Sequence, residues 1–439
     1  MEAILQVLSN TKVLVSIIIG VLAIIMAIVL AKKYHLSNYQ ILIFILLVCF
    51  WFSIIVARDY RKAFAALSTE VGGLNLGEAM AATVASAYGL VSIFARISFF
   101  GLADLFRTRK FFIALSLGLT IVSSILVFVN PCYQTLLFSS LCFGLGASLL
   151  AMFNVIFADT FKKEQAMASV SILSIAPLIA ELLVAPFQYY ATMNTPRNYT
   201  FLWAVSAITA VICLIVLLFI KEQRPEERNF SVKNFKIALT NKSFMIVCVV
   251  GVLISFIKFA TSGSNMTNFS NLINMDPMGV AYLGVVFSVT QLISGVLMGT
   301  LLTKKIGVKW TLIIGVILSG IFSLIGSFIT NPTLLFISYA LNGIGYGLTY
   351  NVLIGIALSH FDRNLREVAM GIFQTFFAVG IFFGDKIYNF IIQVFGGNLT
   401  GVSLYQRTFL ITAIVALITV GLCFIVFRNK PSSVAKNEK

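Results

Sequence analysis

The sequence predicts an all-α membrane protein made of two six-helix repeats, with one extra N-terminal transmembrane helix. Three observations carry that prediction. Of the 439 residues, 59% are hydrophobic and only 11% charged, a balance that leaves more apolar surface than a soluble domain of this size can cover. Apolar runs recur along the chain at about 20 residues each, the length a helix rising ~1.5 Å per residue needs to cross a ~30 Å hydrocarbon core. The two sides of the chain also resemble each other at a period near 200 residues, the mark of internal duplication.

In order, the expected spans lie at 12–31, 40–66, 77–100, 110–129, 134–157, 166–190 and 200–220, then at 243–264, 278–302, 309–329, 334–358, 367–392 and 405–427. The first run is read as a retained helix rather than a signal peptide, because Lys32, Lys33 and Tyr34 follow it instead of a small-residue cleavage site. The polar interval from Lys221 to Lys242 separates the two groups. The expected organisation is therefore an added helix (1–38), an N-terminal half (39–220), a linker (221–242), a C-terminal half (243–428) and a tail (429–439).

Basic residues that flank spans are retained on the cytoplasmic side. With the N-terminus outside, 22 of the 31 Lys and Arg fall in cytoplasmic segments, six fall at outer ends and three (Arg96, Lys258, Lys386) fall inside spans. The expectation is a cell (inner) membrane protein with its linker and C-terminus in the cytoplasm. The net charge of +15 then reflects topology and attraction to anionic lipid, and no soluble basic domain exists to bind a nucleic acid.

Enzymatic chemistry lacks its usual ingredients. The six cysteines are scattered, only two histidines occur, and there is neither a CxxC pair nor a GxxxxGK[ST] phosphate loop. The expectation is no catalytic residue, no metal and no cofactor.

The repeat is collinear. NPCYQTLLF at Asn130 answers NPTLLF at Asn331, Phe153-Asn154-Val155 answers Tyr350-Asn351-Val352, and Ala166-Met167 answers Ala369-Met370. Glycines 144 and 146 match the run 343, 345 and 347, small residues that let helices approach closely. After the second span of the first half the chain reads ARISFFGLADLF, followed by Arg109 and Lys110. Leu102, Ala103, Asp104, Arg109 and Lys110 fit the GxLaDrxGrk signature of the major facilitator superfamily, although Phe100 and Arg107 stand where its glycines are expected; Gly299, Leu301, Lys304 and Gly307 form a weaker echo. Over residues 39 to 428 the chain resembles that superfamily. The resemblance implies two six-helix halves around a substrate site near the bilayer midplane, with Asp104, Arg109 and Lys110 bracing a cytoplasmic gate.

Charges within spans are the functional pointers, since each costs on the order of 2.5 to 3.5 kcal/mol at the bilayer centre even on insertion scales. Lys258 lies in ISFIKFA and Arg61 in DYRKAF, at the offset that separates Asn154 from Asn351, so the two are expected to face each other from opposite halves. The Arg61-Lys62-Ala63-Phe64 run is similar to the RKxF run of organophosphate antiporters, which implies an anion held by one cation from each half; lysine instead of their arginine at 258 suits a carboxylate equally well. Asn154, Asn351 and Lys386 are further candidate substrate contacts, and Glu181 and Asp385 are candidate carriers of a coupling proton, each equally readable as a structural ion-pair partner.

The function expected is secondary transport of a small solute, an organic anion first, in exchange for a proton or counter-solute and in contact with membrane lipid. Two alternatives stay open at this point: an efflux pump for amphipathic cations, and a transporter-like sensor without flux.

Overall fold

The computed structural model describes residues 11–33, 35–149, 152, 153, 156, 157, 160, 166–221, 232–361, 363–395, 399 and 401–427. Among them the chain is a succession of helices. The helix α1 (Thr11–Lys33) is followed by α2 (Asn38–Arg58), α3 (Arg61–Ala66), α4 (Gly77–Phe106), α5 (Lys110–Val129), α6 (Tyr133–Ser148), α7 (Ala166–Thr192) and α8 (Tyr199–Leu218). The linker holds α9 (Val232–Thr240). The second group comprises α10 (Lys242–Ala260), α11 (Ser264–Leu272), α12 (Pro277–Leu292), α13 (Gly299–Ile306), α14 (Val308–Gly326), α15 (Pro332–Ser359), α16 (Arg363–Phe395) and α17 (Gly401–Val426).

Ten stretches among the described residues are long and apolar enough to cross a membrane. The other expected spans fall on α1, on α6 with the partly described segment after it, and on α7. Helix starts follow local chemistry. Ser37 closes a capping box with Gln40, while Asn198, Asn241 and Asn331 each accept a hydrogen bond from a backbone N–H three residues on.

Three expected spans are interrupted. The first helix of each half breaks in its far part: α2 ends at Arg58 and α3 starts at Arg61, while α10 ends at Ala260 and α11 starts at Ser264 after Gly263, whose φ is +55°. The span expected at 278–302 passes through a π-helical turn, Ile293–Met298, before α13. A broken helix in an apolar bundle leaves carbonyls without partners, and each must be satisfied by neighbouring protein. Gln188 donates to the Ile55 and Val56 carbonyls, and Arg61 donates to that of Arg58. In the second half, Asn265, Tyr388 and Asn342 donate to the carbonyls of Phe259, Ala260 and Thr261.

The halves meet along two seams, α4 against α16 and α7 against α12. Close approach in the first seam depends on Gly89, where an added Cβ would lie 2.5 Å from the Phe382 backbone nitrogen. The added helix α1 runs along α7, with Gly20 beside Pro186, and its Lys12 pairs with Asp276 at the N-cap of α12. It therefore touches both sides of the second seam.

Gly144 packs α6 on α4, and an added Cβ would sit 2.9 Å from the Tyr88 Cα and closer still to its carbonyl oxygen. Gly144→Val is expected to destabilise the fold by about 1–3 kcal/mol through overpacking, whereas Gly118→Ala, with nothing within 4 Å of the new methyl, is expected to leave the detergent melting temperature unchanged or raised. Equal melting of the two variants would contradict this packing.

Candidate substrate site

Three layers of polar residues occupy the boundary between the halves. The first lies on the face away from the linker, the second at the helix breaks, and the third between the breaks and the linker face.

The outermost layer is a latch. Lys62, fully buried on α3, donates to Asn265 Oδ1 on α11 at 2.6 Å, and its ammonium lies 3.4 Å from the ring centre of Tyr388 and 4.6 Å from that of Tyr405. A buried ammonium needs such compensation, here a hydrogen bond and two aromatic faces. Asn265 passes the contact on, donating to Asp385 Oδ1 at 2.8 Å. Arg61 is 3.6 Å from Asp385 Oδ2 and donates to the Ala85 carbonyl at 2.9 Å. Alongside, Glu78 accepts from Asn268 and from the Tyr405 hydroxyl, Lys386 and Asn389 donate to Thr83, and Arg197 donates to Asn271. Every one of these pairs except Arg61–Ala85 and Asn265–Asp385 joins the N-terminal half to the C-terminal half.

The middle layer sits where the two breaks meet. Asp59 accepts from Arg58 at 2.8 and 3.3 Å, and its Oδ1 lies 3.5 Å from the position of a Cβ on Gly263. Lys258, in the last turn of α10, has no hydrogen bond or ion pair among the described residues; its ammonium instead lies 4.2, 4.6 and 5.3 Å from the ring centres of Tyr346, Phe259 and Phe287. With Tyr346, Ser319 and Thr349 it lines a small cavity. Glu181, buried on α7, presses its carboxylate against Gly284 of α12, so close that a Cβ there would lie 2.5 Å from Oε2. Arg58, Asp59 and Lys258 all exert their charges on it.

The third layer bridges α4 and α16. Arg96 donates to the Gln374 side chain and, at 3.2 Å, to its carbonyl, while Gln374 donates to the Tyr350 hydroxyl at 2.8 Å.

The expected site residues therefore separate. Arg61, Asp385 and Lys386 lie in the latch, while Lys258 and Glu181 lie in the middle layer. Arg61 and Lys258 do not occupy equivalent places: Arg61 opens α3 as Ser264 opens α11, and Lys62 and Asn265, 203 residues apart, are the pair that meets across the internal symmetry. Asn351 is exposed and rests against Gly295, and Asn154 lies outside the described residues. Asp104 falls in the last turn of α4 and Arg109 precedes α5. Lys110 donates to the Leu218 and Ile220 carbonyls, capping α8. Lys309 does the same for α17 through the Phe424 carbonyl. Arg58, Asp59, Lys62, Glu78 and Asn265 are central to the architecture and were absent from the expected set. Their signal was present in the asparagine- and serine-rich run SNMTNFSNL at 264–272, a polar counterpart to the Arg58–Lys62 cluster.

The family model for the Major Facilitator Superfamily matches residues 13–302 and 248–439. The chain belongs to that superfamily of transporters. Among solved structures, the nucleoside transporter NupG aligns at 16% identity over 90% of this chain and 100% of that one, with a TM-score of 0.65. A POT family transporter in complex with 5-aminolevulinic acid aligns at 14% identity over 89% of this chain and 96% of its own, TM-score 0.70. A bacterial homolog to the human lysosomal transporter Spinster, inward-facing and unoccupied, aligns at 11% over 90% and 97%, TM-score 0.65. At these identities the likeness is one of fold. No curated protein sequence matches the chain significantly.

The latch makes a quantitative expectation. Lys62→Met and Asn265→Leu should each destabilise the protein, and a double-mutant cycle should return a coupling of about 1.5–3 kcal/mol, the range for a hydrogen bond to a charged group. Additive effects in detergent unfolding would show that the two side chains do not act together.

Proposed function

We propose that this major facilitator protein is a secondary active transporter that moves a small organic anion across the cell membrane by alternating access, with Lys258 contacting the anion from the C-terminal half. The observation that carries the reading is the state of Lys258: an ammonium inside a membrane helix, faced by three aromatic rings and by no carboxylate within ion-pair distance among the described residues. Such a charge is costly to hold without a counter-ion, and a substrate anion supplies one. The surroundings support it, since Arg58, Arg96 and Lys258 outnumber Asp59 and Glu181 near the breaks. An efflux site for amphipathic cations would have the opposite excess.

In this reading Arg61 works in the latch rather than on the anion. Asp385 and Glu181 carry coupling protons: a proton on Asp385 removes the charge that Arg61 and Lys62 face and loosens the latch, while one on Glu181 frees the α7–α12 seam. The linker face is cytoplasmic, as the basic residues direct, and Asp104 with Arg109 braces that side. The solved neighbours named for nucleosides and for a peptide-transporter family share the fold across unlike solutes, so the substrate is argued from the site alone.

Reconstituted protein should accumulate at least one organic anion from a set of benzoate, L-lactate and glycerol 3-phosphate when a proton gradient is imposed. Lys258→Gln should abolish uptake and Lys258→Arg should retain part of it. Asp385→Asn should keep solute exchange yet lose proton-driven accumulation. Full uptake by Lys258→Gln would remove the anion reading, and proton-driven accumulation intact in Asp385→Asn would remove the coupling assignment.

A further inference from the structure

A second cation near the breaks is as short of counter-charge as Lys258. Arg96 projects from α4, in the N-terminal half. Its hydrogen bonds go only to Gln374, its Nε is buried with no hydrogen-bond partner, and no carboxylate stands within ion-pair distance of it among the described residues. The groups whose charge bears on it are phenols: Tyr350, Tyr88 and Tyr346. Tyr346 is also the nearest ring to the Lys258 ammonium, at 4.2 Å, and stacks on Tyr350 at 5.3 Å with an interplanar angle of 19°. Arg96, through Gln374 and Tyr350, and Lys258 directly thus reach the same stacked tyrosine pair from opposite halves, and Arg96 acts on Lys258 as a like charge.

Two like charges held in an apolar bundle are relieved together by one anion between them. The other cations near the breaks are already engaged: Arg58 is ion-paired with Asp59, and Arg61 with Asp385. Gln374 is a weak competitor for Arg96, because its neutral amide oxygen brings no counter-charge, whereas a carboxylate or phosphate brings one and can take two guanidinium N–H bonds at once.

We propose that Arg96 is the N-terminal half's anion-binding residue, gripping the same carboxylate or phosphate group that Lys258 meets from the C-terminal half, beside Tyr346. The deduction rests on the anion reading above and deepens it. In the unliganded arrangement Gln374 holds Arg96 at the α4–α16 seam. When the anion arrives, the guanidinium exchanges a neutral oxygen for a charged one, and the bridge from Arg96 through Gln374 to Tyr350 is released. Binding is thereby tied to the contact that joins the halves on the linker side of the breaks. The planar fork of arginine would also orient a two-oxygen head group, which a lysine alone cannot do.

The test uses the purified full chain, with thermophoresis titrations of benzoate, L-lactate and glycerol 3-phosphate against their uncharged counterparts benzamide, lactamide and glycerol. At least one anion should bind and its neutral counterpart should not. Arg96→Gln and Lys258→Gln should each weaken that anion by roughly 30-fold or more, Arg96→Lys by less, and Gln374→Ala by less than about threefold, since it removes only the resting partner. The carboxylate and phosphate arms distinguish the two head groups. If Arg96→Gln fails to fold, Arg96→Lys against Gln374→Ala still decides. Loss in Lys258→Gln with none in Arg96→Gln would overturn the role of Arg96 and leave the anion reading intact. Equal loss in Arg96→Gln and Gln374→Ala would make Arg96 a seam residue only. Anions binding no better than their neutral counterparts, or not at all, would overturn both.

Discussion

A buried lysine between two broken helices is the constraint on which the rest of this structure depends. Lys62 cannot stay charged inside an apolar bundle without compensation, and what it finds comes from the other half: Asn265 on the symmetry-related fragment, with the faces of Tyr388 and Tyr405 behind it. The helix breaks make that meeting possible. Each break turns a short helical fragment toward the other half, and each leaves carbonyls that Gln188, Arg61, Asn265, Tyr388 and Asn342 satisfy. Asn265 serves three partners at once, the Phe259 carbonyl, Lys62 and Asp385. Breaking and latching are therefore one arrangement, in which irregular backbone is tolerated at membrane depth because it is buried in protein.

Below the latch the charges are balanced differently. Arg58 has Asp59 beside it, but among the described residues Lys258 and Arg96 have only aromatic rings and amides. Interfaces of packed helices have discrete arrangements rather than continuous ones, so a ligand that binds one arrangement better shifts the population toward it by its differential affinity alone. In the proposed reading the two undercompensated cations would give an anion that differential, worth most where both halves can reach it.

Much of this was legible in the chain. Span lengths, caps at Asn241 and Asn331, and the duplicated Asn-Pro turns follow from local chemistry, and so does membership in the superfamily. The layout of the charges was not. Arg58, Arg61 and Lys62 form a basic cluster at the end of an apolar run, and nothing local tells whether such a cluster meets solvent or another helix. The cover of Lys62 comes from Asn265, 203 positions away, through a register that the turns on either side had blurred. Counting from Asn154 and Asn351 placed Arg61 opposite Lys258, yet at the first helices the halves are offset by the 203 residues that separate Lys62 from Asn265. The clue that survives this ambiguity is compositional: SNMTNFSNL is too polar to continue a lipid-facing helix, so it had to face something polar.

The most direct test is the distance between the halves on the latch face. Spin labels placed at Glu70 and Asn274, in the loops that follow α3 and α11, report it by pulsed dipolar spectroscopy. With Lys62 intact, the distances should form a narrow population at short separation; with Lys62→Met in the same labelled protein, a second population at longer separation should appear. An identical distance distribution in the two proteins would contradict the claim that this buried lysine holds the halves together.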